Sequence, residues 1–269
     1  MRMIVYSQSD PAGKNIAAHL RRAMQFAEVP LGESPHTAWR MGDSLLLETT
    51  ARLIDLDLDT MGAEWILCLS RHRSESGKRC LTTHTPGNLT AQADLGGRPT
   101  QVGISNPPLQ ARLLLGLKAE KDRLGIPEEV TVEATHHGPT SLPCPVTFVE
   151  IGSDEEAWLD GRLGQCVAQA VVRALEDQGT APPSAIGVGG GHYSGKFTSL
   201  MLEGRYSIGH IIPKYAMTAG MPTAMFSTCM GRTLGGVTAA VVDWKGTPSV
   251  YKEYLKASAA PLGIDLVRI

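Results

Sequence analysis

The chain has 269 residues, of which 42% are hydrophobic and 19% charged, enough apolar material for a buried core and too much for a disordered tail. Its 25 Lys and Arg residues stand against 27 Asp and Glu, a formal net charge of -2. That balance excludes adhesion to nucleic acid by bulk positive charge but permits a local basic patch, and 5% aromatics are too few for a long base-stacking platform.

In chain order, Met3–Ser7 is a short apolar run that predicts a strand. Asp10-Pro11-Ala12-Gly13 turns the chain, and Ile16, Leu20, Ala23, Met24 and Ala27 then recur at helical spacing. Further strand-like runs fall at Leu45–Leu47, Trp65–Leu69, Val130–Val132, Val146–Ile151, Ala185–Val188 and Val237–Val242. Leu109, Leu113, Leu117 and Leu124 predict one helix between them. Leu159, Leu163, Val167, Val171 and Leu175 predict another, with Asp154-Glu155-Glu156 at the end a helix dipole favours. Alternating strands and helices argue for an α/β fold with a mostly parallel, doubly covered sheet. Gln178–Ser184 is the best candidate boundary, but it has the length of an ordinary helix-to-strand loop, so one domain over 1–269 is expected.

Cys68, Cys80, Cys144, Cys166 and Cys229 are widely spread, with no C-x-x-C pair to suggest a zinc ribbon or a disulfide framework. The opening residues lack the apolar stretch of a signal peptide, and runs such as Val237–Val242 fall far short of the roughly 20 residues that span a bilayer. A soluble, reduced, cytoplasmic protein is expected.

The placement of histidines carries the functional signal. His72 follows the Trp65–Leu69 run, His136 and His137 follow Val130–Val132, and His192 follows Ala185–Val188. Ligands of open α/β sheets bind outside the carboxyl ends of strands, so these loops are expected to share one site. His84 and His210 add two more imidazoles, while His19 and His36 sit outside the pattern. Convergent neutral imidazoles with a carboxylate suit a Zn²⁺ hydrolase, whose metal takes nitrogen ligands and lowers the pKa of a bound water. Glu133 is then a ligand or a general base. Singly, each histidine has a plainer role in bonding loop backbone, and no H-E-x-x-H is present. His136 and His137 are adjacent, so a strand continuing through them would turn them to opposite faces and leave one at the metal.

Gly190–Lys196 (GGHYSGK) fits half of a phosphate loop, but Phe197 stands where a Mg²⁺-binding Ser or Thr belongs, which argues against a nucleotide triphosphatase. No G-x-S-x-G elbow is present, so an acyl-enzyme is disfavoured. Arg71, Arg73, Lys78 and Arg79 against Glu75 make one loop locally positive, suited either to RNA phosphates or to plain solvation.

At these motifs the sequence resembles the archaeal and plant type of D-aminoacyl-tRNA deacylase. The resemblance rests on SRHRSESG (70–77), LTTHTPGN (81–88), EATHHGPTSL (133–142), EIGSDEEAW (150–158), GVGGGHY (187–193) and GHIIPKYA (209–216), with Asp10 and Asn15-Ile16 near the start. It runs in order over most of residues 1–216, while 217–269 carry none of these motifs. Where the family has Ala-Pro after the His-Tyr pair, this chain has Ser194-Gly195. The resemblance implies a monomeric zinc hydrolase on a three-layer α/β/α, phosphorylase/peptidyl-tRNA-hydrolase-like core. It implies cleavage of the ester between a D-amino acid and tRNA. An aminoacyl ester is already activated, so an activated water suffices without a nucleophilic side chain. His84, His136, His137 and His192 are the candidate metal ligands. His72 and Glu133 are the candidate base or orienting groups, Arg71, Lys78 and Lys214 the candidate contacts to the tRNA end, and Tyr193 a further candidate substrate-binding residue. A nucleoside- or phosphate-processing enzyme on the same core, a peptidyl-tRNA hydrolase and a non-enzymatic RNA-binding module are the rival readings.

Overall fold

The computed structural model describes residues 1–31, 36–74 and 77–269; Glu75, part of the basic-loop reading, lies outside the described residues. The first half of the chain runs β1 (Arg2–Ser7), α1 (Pro11–Met24), β2 (Ala27–Val29), β3 (Thr37–Met41), β4 (Ser44–Thr49), β5 (Trp65–His72) and β6 (Cys80–His84). It continues through the short β7 (Gly87–Asn88) and β8 (Gln101–Val102), then α2 (Pro107–Leu124), β9 (Glu129–Val132), β10 (Val146–Gly152), α3 (Glu155–Leu159) and α4 (Gly161–Glu176). The second half holds β11 (Ser184–Val188), α5 (Gly195–Leu202), β12 (Ser207–Ile212), α6 (Lys214–Thr218), α7 (Ala224–Gly231), β13 (Ala239–Val242), α8 (Ser249–Ala259) and β14 (Asp265–Arg268).

The apolar runs read from the sequence become β1, β4, β5, β9, β10, β11 and β13, and the Leu109–Leu124 pattern becomes α2. The Leu159–Leu175 pattern is instead two helices. Asp160 ends α3 and restarts the chain as α4, its backbone extended and its carboxylate accepting from the Arg162 N–H. Asn15 on α1 holds the carbonyls of Trp158 and Asp160, fixing that break. The first helix likewise stops early: Gln25 takes the left-handed φ of 53°, and Ala27 falls in β2.

Two main sheets result. The larger has the order β2-β3-β4-β1-β5-β10-β6-β9, with β4, β1, β5 and β10 mutually parallel and β6 antiparallel to β10. One face, including Ile4, Leu67, Leu69, Val149 and Ile151, packs on α1, α2 and α4. The other carries Val5, Ile66, Cys68, Val146 and Phe148 and is covered by Leu53, Leu56, Leu142 and Cys144 from connecting segments. The smaller sheet, β12-β11-β13-β14, is wholly parallel and lies between α2 with α5 on one side and α6, α7 and α8 on the other. Alternation of strand and helix thus yields the expected α/β architecture, and α2 serves both sheets.

The segment after β9 ties the sheets together. Glu133 bridges Tyr193, Ala134 N–H donates to the His192 carbonyl, and Thr135 N–H donates to the Ile211 carbonyl. All five cysteines are buried and free. No helix among the described residues is long and apolar enough to cross a membrane.

Candidate metal and hydrolase site

Strand register builds the site. Paired residues share a sheet face, and Ser70 opposes Glu150, which opposes Thr82, which opposes Thr131. His72 lies level with Gly152, and His84 lies level with Phe148. The same face of β5, β10 and β6 therefore presents His72, Glu150 and His84, with Glu133 arriving one residue past β9. This is the loop-covered face: Ile66, Cys68, Val146 and Phe148 make its apolar half, and the titratable groups make the rest. Because β6 and β9 run against β5 and β10, the histidine loops meet across a face rather than beyond one edge of the sheet.

His136 and His137 reach the same place. The chain leaves the extended conformation there: His137 has a φ of 45°, so the two rings do not alternate across a strand but converge at 4.3 Å between centroids. His136 Nδ1 lies 2.8 Å from the Ala134 carbonyl, and His137 Nδ1 lies 2.6 Å from the Gly138 carbonyl. A carbonyl only accepts, so each Nδ1 carries the proton and each Nε2 is left as a bare lone pair. His84 Nε2 sits 3.2 Å from His137 Nε2, and its Nδ1 faces Glu133 and Glu150 at 3.8 and 4.0 Å. His192 enters on the strand-to-helix loop after β11. Gly189 makes that loop possible with a φ of 98°, at a point where a Cβ would strike the Asp243 carbonyl oxygen at 2.9 Å.

Glu133 is the hub. Its Oε1 is 3.1 Å from His72 Nδ1, and its Oε2 is 3.3 Å from His192 Nε2 and 3.6 Å from His136 Nε2. Burial opposes its charge, yet the contact with His192 and the charges of the surrounding histidines prevail and hold its carboxyl down at about 2. Glu150 goes the other way, to about 7, because burial and the nearby Glu133 charge outweigh its hydrogen bond with His72. Burial also works against a charged His72, but Glu150 and Glu133 outweigh it and raise its pKa. His72 Nε2 meets the Tyr193 hydroxyl at 2.7 Å. Burial foremost, then the neighbouring imidazoles, pushes His84 well below its ordinary value; burial with the His137 charge does the same to His136, and burial takes His137 to about 4.

This donor set fits a cation. Three imidazole nitrogens that cannot easily take a proton face one another, and His84 Nδ1, 3.8 Å from the nearest carboxylate oxygen, is buried without a hydrogen-bond partner. Ligand atoms of His84, His136 and His137 lie within 4.8 Å of one another, as do those of His72, Glu133 and His192, and of His84, Glu133 and Glu150. A divalent metal resolves the lone-pair repulsion that protonation does not, and backbone carbonyls behind the rings are the usual support for such ligands.

The D-aminoacyl-tRNA deacylase family model matches residues 60–267. Curated relatives named D-aminoacyl-tRNA deacylase match along nearly the whole chain: one from Cenarchaeum symbiosum is 37% identical over 91% of this chain and 92% of its own. One from Thermococcus onnurineus is 34% identical over 100% of both. The chain belongs to the D-aminoacyl-tRNA deacylase family. A crystal structure of a conserved protein of unknown function, AF0625, superposes with a TM-score of 0.90 at 31% identity, covering 100% of this chain and 95% of that one.

In this deacylase-family chain a cleft of about 610 Å³ opens over the cluster, lined by His72, His136, His137, Glu150 and His192 and by Arg52, Arg71 and Arg73. Arg71, expected at the substrate, is among the lining residues. Its backbone N–H donates to Asp10, and its guanidinium lies 5.4 Å from the Trp158 ring centroid. Lys78 and Lys214 are exposed and not part of the lining, and Lys78 pairs with Glu129 at 2.5 Å. Tyr193 contacts His72, an orienting position for a residue expected at the substrate. His210 is buried between Thr135 and the Arg232 carbonyl, outside the cluster. Lys196 of the phosphate-loop-like string is held by Asp243 at 2.7 Å. Glu150 is the site residue the sequence reading passed over. The family model also extends through residues 217–267, where no motif had been legible.

Proposed function

We propose that this chain hydrolyses the ester of D-aminoacyl-tRNA, releasing free D-amino acid and tRNA. The observation that carries the reading is the pair of tautomer-locked histidines, His136 and His137, set beside a buried carboxylate under an arginine-lined cleft. Family membership supplies the substrate class. Residues His84, His136 and His137 would hold a zinc ion, which when bound supplies a Lewis acid and a water of lowered pKa.

The chain's own groups do the rest. Glu133 stays ionised and faces His192 Nε2, so that ring is oriented with Nδ1 outward, towards the Tyr215 hydroxyl at 3.4 Å and solvent. His192 takes the proton of the attacking water at Nδ1 and returns it to the ribose oxygen as the acyl–oxygen bond breaks. With side-chain exposures of 21% and 31%, His136 and His192 are open to an arriving tRNA end. His72 keeps Glu133 charged from behind, and Arg52, Arg71 and Arg73 meet the terminal phosphates. The stitching at 133–135 supports a single domain. Five free thiols support a reducing, cytoplasmic setting.

The test is hydrolysis of matched D- and L-tyrosyl-tRNA by the purified protein. Loss of the D ester alone is expected. Equal loss of both, or of the L ester first, would refute the substrate assignment.

A further inference from the structure

A second cleft, of about 260 Å³, opens beside the first and shares only His136, His137 and Leu95 with it. Their chemistry differs. The larger cleft carries Arg52, Arg71 and Arg73 beside the carboxyl groups of Asp10 and Glu150, and none of the three arginines lines the smaller. The smaller has an apolar wall that includes Leu89, Ala216 and Ala219, and Asp94 is the one carboxylate among its lining residues.

On the reading above, on which this inference rests, the substrate also has two unlike halves joined at the scissile ester. One is polyanionic nucleotide. The other is an amino-acid side chain with an α-ammonium. His136 and His137 line both clefts, so an ester whose scissile bond lies over them sends one half into each. Phosphates favour the cleft with the three arginines, whereas an ammonium meets no Lys or Arg in the smaller one and is attracted by Asp94. We propose that the smaller cleft is the aminoacyl subsite, with Asp94 facing the ammonium and Ala219 setting how large a side chain fits. The larger cleft takes the terminal nucleotide. Ala219 caps the exposed end of α6, so a bulky residue there narrows the cleft without entering the core.

The experiment compares D-tyrosyl- and D-alanyl-tRNA as substrates of the wild type, Ala219→Trp, Asp94→Asn and Arg73→Ala. Ala219→Trp should lower kcat/KM for the tyrosyl ester about tenfold or more beyond any loss on the alanyl ester. Asp94→Asn should raise KM for both esters. Arg73→Ala should weaken both by one common factor and flatten the salt dependence. Size-blind losses in Ala219→Trp, or an unchanged KM in Asp94→Asn, would overturn the subsite while leaving the deacylase reading intact. A wild type that cleaves neither D ester would overturn that reading and the subsite together.

Discussion

A left-handed backbone at His137 determines how many imidazoles the cluster gathers. With φ at 45° its ring folds back beside His136 instead of crossing the strand, which two adjacent letters in a sequence do not reveal. Tyr193, expected at the substrate, also has a protein partner. Its hydroxyl touches His72 Nε2, so Tyr193→Phe should lower kcat about tenfold while leaving KM unchanged. Steady-state kinetics on a D-aminoacyl-tRNA checks this, and a change confined to KM would return Tyr193 to substrate binding. His72, His136, His137 and His192 were legible because each follows an apolar run, whereas His84 ends a polar one. Glu150 was hidden because it sits inside one, Val146–Gly152, where the pattern reads as continuous core. The available signal was its cost: a carboxylate inside a buried strand needs a partner, and His72 is that partner.

At the scale of elements, strands with branched or aliphatic runs declare themselves, and β6 does not. Its sequence, CLTTH, is polar, yet all five residues are buried because β10 and β9 flank it on both edges. Pairing, not propensity, makes it a strand. The α3–α4 break was similarly illegible, since it depends on Asn15 reaching across from another helix. Helix contacts also set what the elements tolerate. A Cβ on Gly116 of α2 would lie 2.9 Å from the Ala170 carbonyl oxygen of α4, and backbone cannot give way as a side chain would. Gly116→Ala should therefore destabilise the fold by about 1–3 kcal/mol despite alanine's better helix propensity. Chemical denaturation measures it; an unchanged or raised midpoint would show that α2 and α4 can separate freely.

For the whole molecule, two buried histidines and two half-buried ones set the pH response of the metal-free protein. Burial lowers His84, His136, His137 and His210, the last two to about 4, from an ordinary 6.5. Between about pH 4 and 6.5 the unfolded chain binds protons that the folded one refuses, so stability rises with pH and is lost on acidification. Glu150, raised to about 7, opposes this in the same window, and the raised His72 gives stability that fades only as pH climbs through its folded value. The histidines prevail by number. Thermal midpoints of chelator-stripped protein should fall from pH 6.5 to 4.5, and a flat profile would mean that the rings are more solvated than their burial implies. Zinc added at pH 7 should raise the midpoint, because only the folded chain assembles the ligands.

His84, His136 and His137 would hold a zinc ion that lowers the pKa of a water beside the Glu133–His192 pair. The most direct test of this is the hydrolysis rate of D-tyrosyl-tRNA by folded protein as purified, after chelation, and after zinc is restored. The account predicts turnover that disappears on chelation and returns with Zn²⁺. Turnover indifferent to chelation, with the protein demonstrably metal-free, would contradict it and leave the reaction to the Glu133–His192 pair alone.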